Sequence, residues 1–274
     1  MRAWAPTALA ALVLTGAAAG RARAGAWPQP AMGGSRSGEP ELILSFDDGP
    51  HPIVTPKILD MLAAHDIHAV FFWVGWHFQR APEASKALAE RAIAEGHVIA
   101  NHTINHAQLC AVPEAQAAFE IDGNRAMLEQ AATMPVVWFR SPYGARCSQI
   151  ERLLAERGMH NFHWDLDPQE WRKGSQGSAI RYVTHNLAFL GDKDRAVLLL
   201  HDTKRSTLTA LPKILDWITA ENKKREVSGR KPIVIVPASE LAAEQVNHDL
   251  LGWLAVVAGE AGDDVLGGLA SSIP

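Results

Sequence analysis

Seven short apolar runs punctuate the chain, at 41–46, 69–74, 97–100, 136–139, 160–164, 196–200 and 232–236. Each is rich in Val, Ile, Leu or aromatic residues and none alternates for long, as expected of strands buried on both faces. Between the runs, apolar residues fall at helical spacing. Ile58, Met61 and Leu62 share one face, and Leu208, Leu211, Leu215 and Ile218 repeat at intervals of three and four. Pro82 suits the first turn of one helix and Gly158 the end of another. Alternating β and α segments predict a parallel sheet with helices outside it. The Gly-, Pro- and Ser-rich stretch 25–40 predicts a flexible linker, and the charged run 221–231 a solvated helix end and loop. The tail 241–274 predicts a C-terminal extension. In it, Leu250, Leu251, Trp253, Leu254, Val256 and Val257 could form a short helix, and residues from Gly262 onward fray.

Polar motifs follow these runs. Asp47 and Asp48 come after the first, His102 after the third, Arg140 after the fourth, Asp165 after the fifth and His201 after the sixth. Functional groups at the C-terminal ends of several strands mark the mouth of a β/α barrel. An open doubly wound sheet would gather them only near one switch point. The expectation is therefore a single α/β domain over 41–240, a barrel of seven strands.

Length and composition agree with one soluble domain: 274 residues, 47% hydrophobic and 20% charged. The first 24 residues read as a signal peptide cut after Ala24, with Arg2 at the start, an apolar stretch Ala8–Ala19 and the pattern Ala22-Arg23-Ala24. A secreted or periplasmic protein follows, without a stable membrane anchor after cleavage. Losing Arg2, Arg21 and Arg23 takes the net charge from −4 to −7, which gives nucleic acid no support and suits a neutral substrate. Two cysteines in an exported protein can pair. Cys110 follows His106 by four residues and Cys147 follows Tyr143 by four, so a disulfide is one reading and two buried thiols the other.

Candidate chemistry begins with His102 and His106, two histidines at i and i+4. With a carboxylate from elsewhere they make a three-ligand metal site with one open position. A second carboxylate would take the proton from an activated water, and the Asp47-Asp48 pair supplies both acids.

Five motifs occur in order: Ser45-Phe46-Asp47-Asp48-Gly49-Pro50, His102-Thr103-Ile104-Asn105-His106, Arg140-Ser141-Pro142-Tyr143, Trp164 to Trp171, and Leu199-Leu200-His201-Asp202. Over roughly 41–237 the chain resembles the polysaccharide deacetylase family, also called the NodB-homology domain or carbohydrate esterase family 4. The resemblance implies an irregular seven-stranded (β/α) barrel. It implies Asp47 as general base, Asp48, His102 and His106 as ligands of a divalent metal, Zn²⁺ above others, and Arg140 as the partner of the base. It implies Tyr143 as an oxyanion donor through its backbone N–H, and His201 as the general acid. The fourth motif departs from the family's Asp-x-x-Asp-Trp: here Glu170 stands in Asp167-Pro168-Gln169-Glu170-Trp171, with Asp165 and Asp167 as alternative partners of His201. Trp171, Trp164 and Trp76 are sugar-stacking candidates, and the other histidines read as structural or surface residues. The expected activity is removal of N-acetyl groups from a GlcNAc-containing polysaccharide or oligosaccharide, whether chitin-like, peptidoglycan or an exopolysaccharide, by a monomer. Rival readings are an O-acetyl xylan esterase, a hydrolase of small amides, and a carbohydrate-binding barrel without turnover.

Overall fold

The structure, a computed structural model, describes residues 34–245 and Asp249. The expected signal peptide, its cleavage point and the tail beyond 249 lie outside the described residues. Strand β1 (Glu41–Asp47) is the spine of a seven-stranded sheet whose pairings are all parallel. The other strands are β2 (Val70–Trp73), β3 (Val98–Asn101), β4 (Trp138–Phe139), β5 (His160–Asn161), β6 (Arg195–His201) and β7 (Val234–Ile235). They run in the order β5-β4-β3-β2-β1-β6, and β7 pairs with the first residues of β1. Leu166, just past β5, bridges to Leu198 on β6, which curls the sheet into an irregular barrel. Helices α1 (Val54–Ala63), α2 (Gly75–Arg80), α3 (Pro82–Ala94), α4 (Glu114–Ala132), α5 (Ser148–Glu156), α6 (Gln176–Ala188) and α7 (Arg205–Val227) form the connections.

Both faces of the strands are apolar, which is why the sequence shows no alternation. Leu42, Leu44, Phe46, Phe71, Ile99, Leu198 and Leu200 pack under the helices. Ile43, Val70, Phe72, Ala100, Trp138, Phe162 and Val197 form a second cluster inside the curl. The two-residue period of a strand then fixes what the interior rows meet at the open end. Extending 43 to 47, 98 to 102, 138 to 140 and 197 to 201 brings Asp47, His102, Arg140 and His201 onto one inner surface. Val236, Ala238 and Leu241 fill the opposite end of that cluster.

Several sequence expectations need correction. β4 is shorter than 136–139 because the Val136 N–H donates to the Glu129 carboxylate at 3.0 Å instead of a strand. β5 is shorter than 160–164 because the chain leaves the ladder after Phe162, whose carbonyl accepts from Arg140 at 2.8 Å. Residues 34–40 are held rather than loose: Ser35 N–H donates to Lys193 O at 2.9 Å, and Arg36 and Ser37 N–H donate to the Glu41 carboxylate. The barrel domain does not end at 240, since Leu241 is 1% exposed and belongs to the inner core.

The charged run 221–231 is also not wholly solvated. Arg225 is 1% exposed, and its Nη2 donates to the carbonyls of Leu187, Ala188 and Leu190, which close α6. A cation at a helix C-terminus satisfies carbonyls that lack intrahelical partners. Leu187 O also accepts from Leu190 N–H and Ala188 O from Arg230, so replacing Arg225 with a neutral side chain of similar length, Arg225→Met, should cost about 1–3 kcal/mol, chiefly by leaving Leu190 O without a donor. Urea unfolding checks this through a lowered midpoint at unchanged slope.

Candidate active site

The turn after β1 starts the site. Asp48 has φ 76°, and its carbonyl accepts from His77 Nε2 at 2.9 Å when that nitrogen carries the proton. Gly49 is required here by space: a Cβ would lie 2.1 Å from the Asp202 carboxylate. Asp202 is fully buried, accepts from Thr55 Oγ1 at 2.7 Å and Trp73 Nε1 at 3.0 Å, and burial pushes its pKa up to about 7. His106 (φ 55°) and Tyr143 (φ 62°) also adopt left-handed backbone, as do Thr103 (φ 69°) beside His102 and Gln169 (φ 52°) beside Glu170. Non-glycine residues held there cost energy and persist where the surroundings impose them, a pattern that clusters at functional sites.

Asp48, His102 and His106 offer ligand atoms that lie within 4.8 Å of one another. His106 Nε2 is 3.3 Å and His102 Nε2 is 3.8 Å from Asp48 Oδ1. Donors about 2.0–2.2 Å from a tetrahedral ion stand roughly 3.4 Å apart, so the set fits a divalent metal of the zinc type. His102 Nδ1 lies 2.7 Å from Arg140 O, which directs Nε2 towards the cluster. Burial lowers the His102 pKa to about 3, keeping the imidazole neutral as a ligand must be.

Asp47 lies beside this cluster, its Oδ2 3.7 Å from His102 Nε2. Arg140 Nη1 donates to its Oδ1 at 2.6 Å, and the guanidinium lies 3.9 Å from the Phe72 ring centroid inside the barrel. Burial raises the Asp47 pKa above the usual carboxylate value, against the opposing pull of Arg140 and His201. In the register of β1 against β6, Asp47 stands opposite His201.

His201 is anchored from below. Oε1 of the fully buried Glu170 accepts from His201 N–H at 2.8 Å and from Thr207 Oγ1 at 3.0 Å, and lies 3.1 Å from His201 Nδ1. Burial alone would lower the His201 pKa, but the contact with Glu170 and the charges of Asp47 and Asp48 raise it. Asp165 and Asp167, the other candidates, are engaged elsewhere: Asp165 Oδ2 accepts from Val197 N–H at 2.8 Å and Asp167 Oδ1 from Gln169 N–H at 3.0 Å.

The polysaccharide deacetylase family profile matches residues 34–162. A chitooligosaccharide deacetylase of Sinorhizobium fredii is 32% identical over 169 residues, covering 61% of this chain and 74% of that one. The chain belongs to the polysaccharide deacetylase family. A peptidoglycan-N-acetylglucosamine deacetylase of Bacillus cereus is 32% identical over 179 residues, 64% of this chain and 79% of its own. Among solved structures, a peptidoglycan deacetylase from Bacillus subtilis superposes with a TM-score of 0.62 at 26% identity, covering 79% of this chain and 96% of that one.

Around the mouth of this polysaccharide deacetylase, Tyr143 is 70% exposed and lies edge-on to His106 at 4.7 Å between ring centroids. Trp171 is 45% exposed, and its ring centroid is 6.5 Å from that of His201. The other stacking candidates are less open. Trp164 packs on the inner core and against Gly144, and Trp76 is stacked by His77 at 3.7 Å and by the Arg80 guanidinium at 4.6 Å. Sequence reasoning missed His77, Thr207 and Lys204, whose Nζ is 3.8 Å from Asp48 Oδ2. Lys204 and Thr207 follow His201 by three and six residues, and that nearness in the chain was the available signal. Nothing in the sequence singled out His77 among twelve histidines.

Cys110 and Cys147 are joined, with Cα atoms 6.0 Å apart, so the loop after β3 is tied to the loop after β4. Gln149 reinforces the junction by donating to Leu109 O and Val112 O. Closing 37 residues is worth on the order of 3–4 kcal/mol in the loop-entropy model. Thiol titration of denatured, unreduced deacetylase from an oxidising compartment should find no free thiol, and reduction should lower Tm.

The Glu170 contact makes a second prediction. Removing its charge with Glu170→Gln should lower the His201 pKa, measured by following its imidazole Cε1 proton by NMR. The sign follows from the lost stabilisation of the protonated ring. An unchanged titration would separate Glu170 from His201.

Proposed function

We propose that this deacetylase hydrolyses N-acetyl groups of N-acetylglucosamine units in a polysaccharide or oligosaccharide, with Asp48, His102 and His106 holding a divalent metal. The observation that carries the reading is the placement of Asp47 and His201 opposite each other on adjacent strands, above the same cluster, each held by a buried partner. Zn²⁺ is the ion that a His₂Asp set with an open position suits best, and when bound it would acidify water and polarise the acetyl carbonyl.

The chain supplies the proton chemistry. Asp47, oriented by Arg140, accepts the proton of the attacking water through the oxygen that Arg140 leaves open. His201, kept protonated by Glu170, donates to the departing amine, which leaves poorly without a proton. The backbone N–H of Tyr143 is assigned to the developing oxyanion, supported by the exposed ring beside His106. Trp171 offers a stacking face for the sugar.

An acid held protonated favours N-acetyl over O-acetyl substrates, because an alkoxide needs protonation less than an amide nitrogen does. The presence of base, acid and ligands together favours turnover over a binding barrel. Action outside the cytoplasm, after removal of residues 1–24, is part of this proposal, and the cross-loop disulfide supports an oxidising compartment.

Acetate release from N-acetylated oligosaccharides should be abolished by a chelator and restored by Zn²⁺. Asp47→Asn should cut kcat by about 10²–10⁴-fold with metal content kept. The double variant His102→Ala/His106→Ala should lose both metal, by elemental analysis, and activity; full metal occupancy in it would refute the ligand assignment.

A further inference from the structure

The two histidines that follow β3 are aimed in different ways. The His102 ring is fixed directly, by Arg140 O beside its Nδ1. The His106 ring has no such bond at Nδ1 among the described residues; its Nε2 stands 3.3 Å from Asp48 Oδ1, and Tyr143 lies edge-on to it. The aim of His106 therefore depends on its backbone, which is held in the left-handed region at φ 55°. Helix α4 holds that backbone.

Glu120, within α4, is 2% exposed. Its Oε2 accepts from the backbone N–H of Asn105 at 2.8 Å and its Oε1 from Asn105 Nδ2 at 2.9 Å. Its own carbonyl accepts from Ile104 N–H at 3.2 Å. Asn105 is exposed and immediately precedes His106. The same helix steadies the first half of the loop: Thr103 N–H donates to Asn101 Oδ1 at 2.9 Å, and that oxygen also accepts from Asn124 Nδ2 at 2.8 Å. Gly123 lets α4 come this close, since a Cβ there would lie 2.5 Å from Ile104 Cδ1.

A buried carboxylate is costly unless it is paired and hydrogen-bonded. Glu120 makes no ion pair with any described residue, so the bonds to Asn105 are its main compensation. A carboxylate offers two acceptor oxygens side by side, which suits the two N–H donors of Asn105. Groups beyond the ligands commonly orient a metal-binding histidine through its ring. Here the equivalent bond is made one residue earlier, on the backbone from which the ring projects.

We infer that Glu120 is a positioning residue for the metal centre, setting the reach of His106 towards Asp48 through Asn105. The inference rests on the ligand assignment under Proposed function. Glu120 lies outside the five motifs, and only the packing of α4 against the loop brings it there.

The test measures the Zn²⁺ affinity of the full chain by competition with a chromogenic chelator. Each metal-free variant is first shown to be folded by circular dichroism at the temperature used. Glu120→Ala should bind Zn²⁺ about tenfold or more weakly. Glu120→Gln should stay within about twofold of the unaltered protein, because an amide keeps both bonds once the Asn105 amide turns over. Asn105→Ala removes one bond at an exposed position and should weaken binding by about threefold or more. A role in stability alone would lower the Tm of the metal-free protein and leave the affinity unchanged. Unchanged affinity in Glu120→Ala would therefore overturn the inference, and Glu120→Gln as weak as Glu120→Ala would overturn the route through Asn105. If Glu120→Ala does not fold, Asn105→Ala decides: weaker binding supports the role and unchanged binding removes it. An unaltered protein that binds no Zn²⁺ would overturn the ligand assignment and this inference with it. Equal Zn²⁺ affinity in the unaltered protein and all variants would overturn this inference alone.

Discussion

Inside the barrel mouth, with no exposed surface, the Arg140 guanidinium closes on Asp47 Oδ1 at 2.6 Å while its other nitrogens reach the carbonyls of Phe162 and His163. Its own backbone carbonyl meets His102 Nδ1, and its N–H donates to Asn101 O. One residue thus fixes the Asp47 carboxylate at the end of β1, the His102 imidazole after β3 and the path of the chain after β5. The energetics are asymmetric. Burying such a pair contributes little net stability, but removing one partner leaves an uncompensated charge, at about 3–5 kcal/mol. The pair's benefit is position: it places a carboxylate beside three metal-type donors.

The same logic extends outward from Arg140. Glu170 does for His201 what Arg140 does for Asp47, through three contacts to a single carboxylate oxygen. The longer Glu is accommodated because it bonds the backbone N–H and the ring of His201 together, and Thr207 locks it from α7. Left-handed backbone at Asp48, His106 and Tyr143 is a further cost, borne by a rigid sheet below and a disulfide-tied loop pair above. Precision of this kind belongs to side chains whose own supports are locked.

Charge is divided by depth in this molecule. Asp47, Glu170 and Asp202 are buried beneath the site and Asp48 is partly open beside His102 and His106, while Arg80, Arg146 and Arg172 are exposed. A barrel mouth produces that division readily, since loops after different strands meet there although they are far apart in the chain.

The sequence by itself determined the alternation of strands and helices, the order of the five motifs and the strand ends at which Asp47, His102, Arg140 and His201 stand. Those are local properties: apolar runs mark strands, and polar residues stand where the runs stop. It left several matters open or misread them. β4 and β5 are shorter than their apolar runs because Glu129 and Arg140 take backbone groups a ladder would have used. Arg225 is buried because the end of α6 brings carbonyls to it from 35 or more residues away in the chain. Glu170 rather than Asp165 or Asp167 meets His201, since only the fold brings 170 under 201. Whether Cys110 and Cys147 join or stay as two thiols was decided only once two loops were placed side by side. Apart from Glu129, seven residues before Val136, the deciding partner lies far away in the chain, and only the packing of the folded barrel brings it within bonding distance.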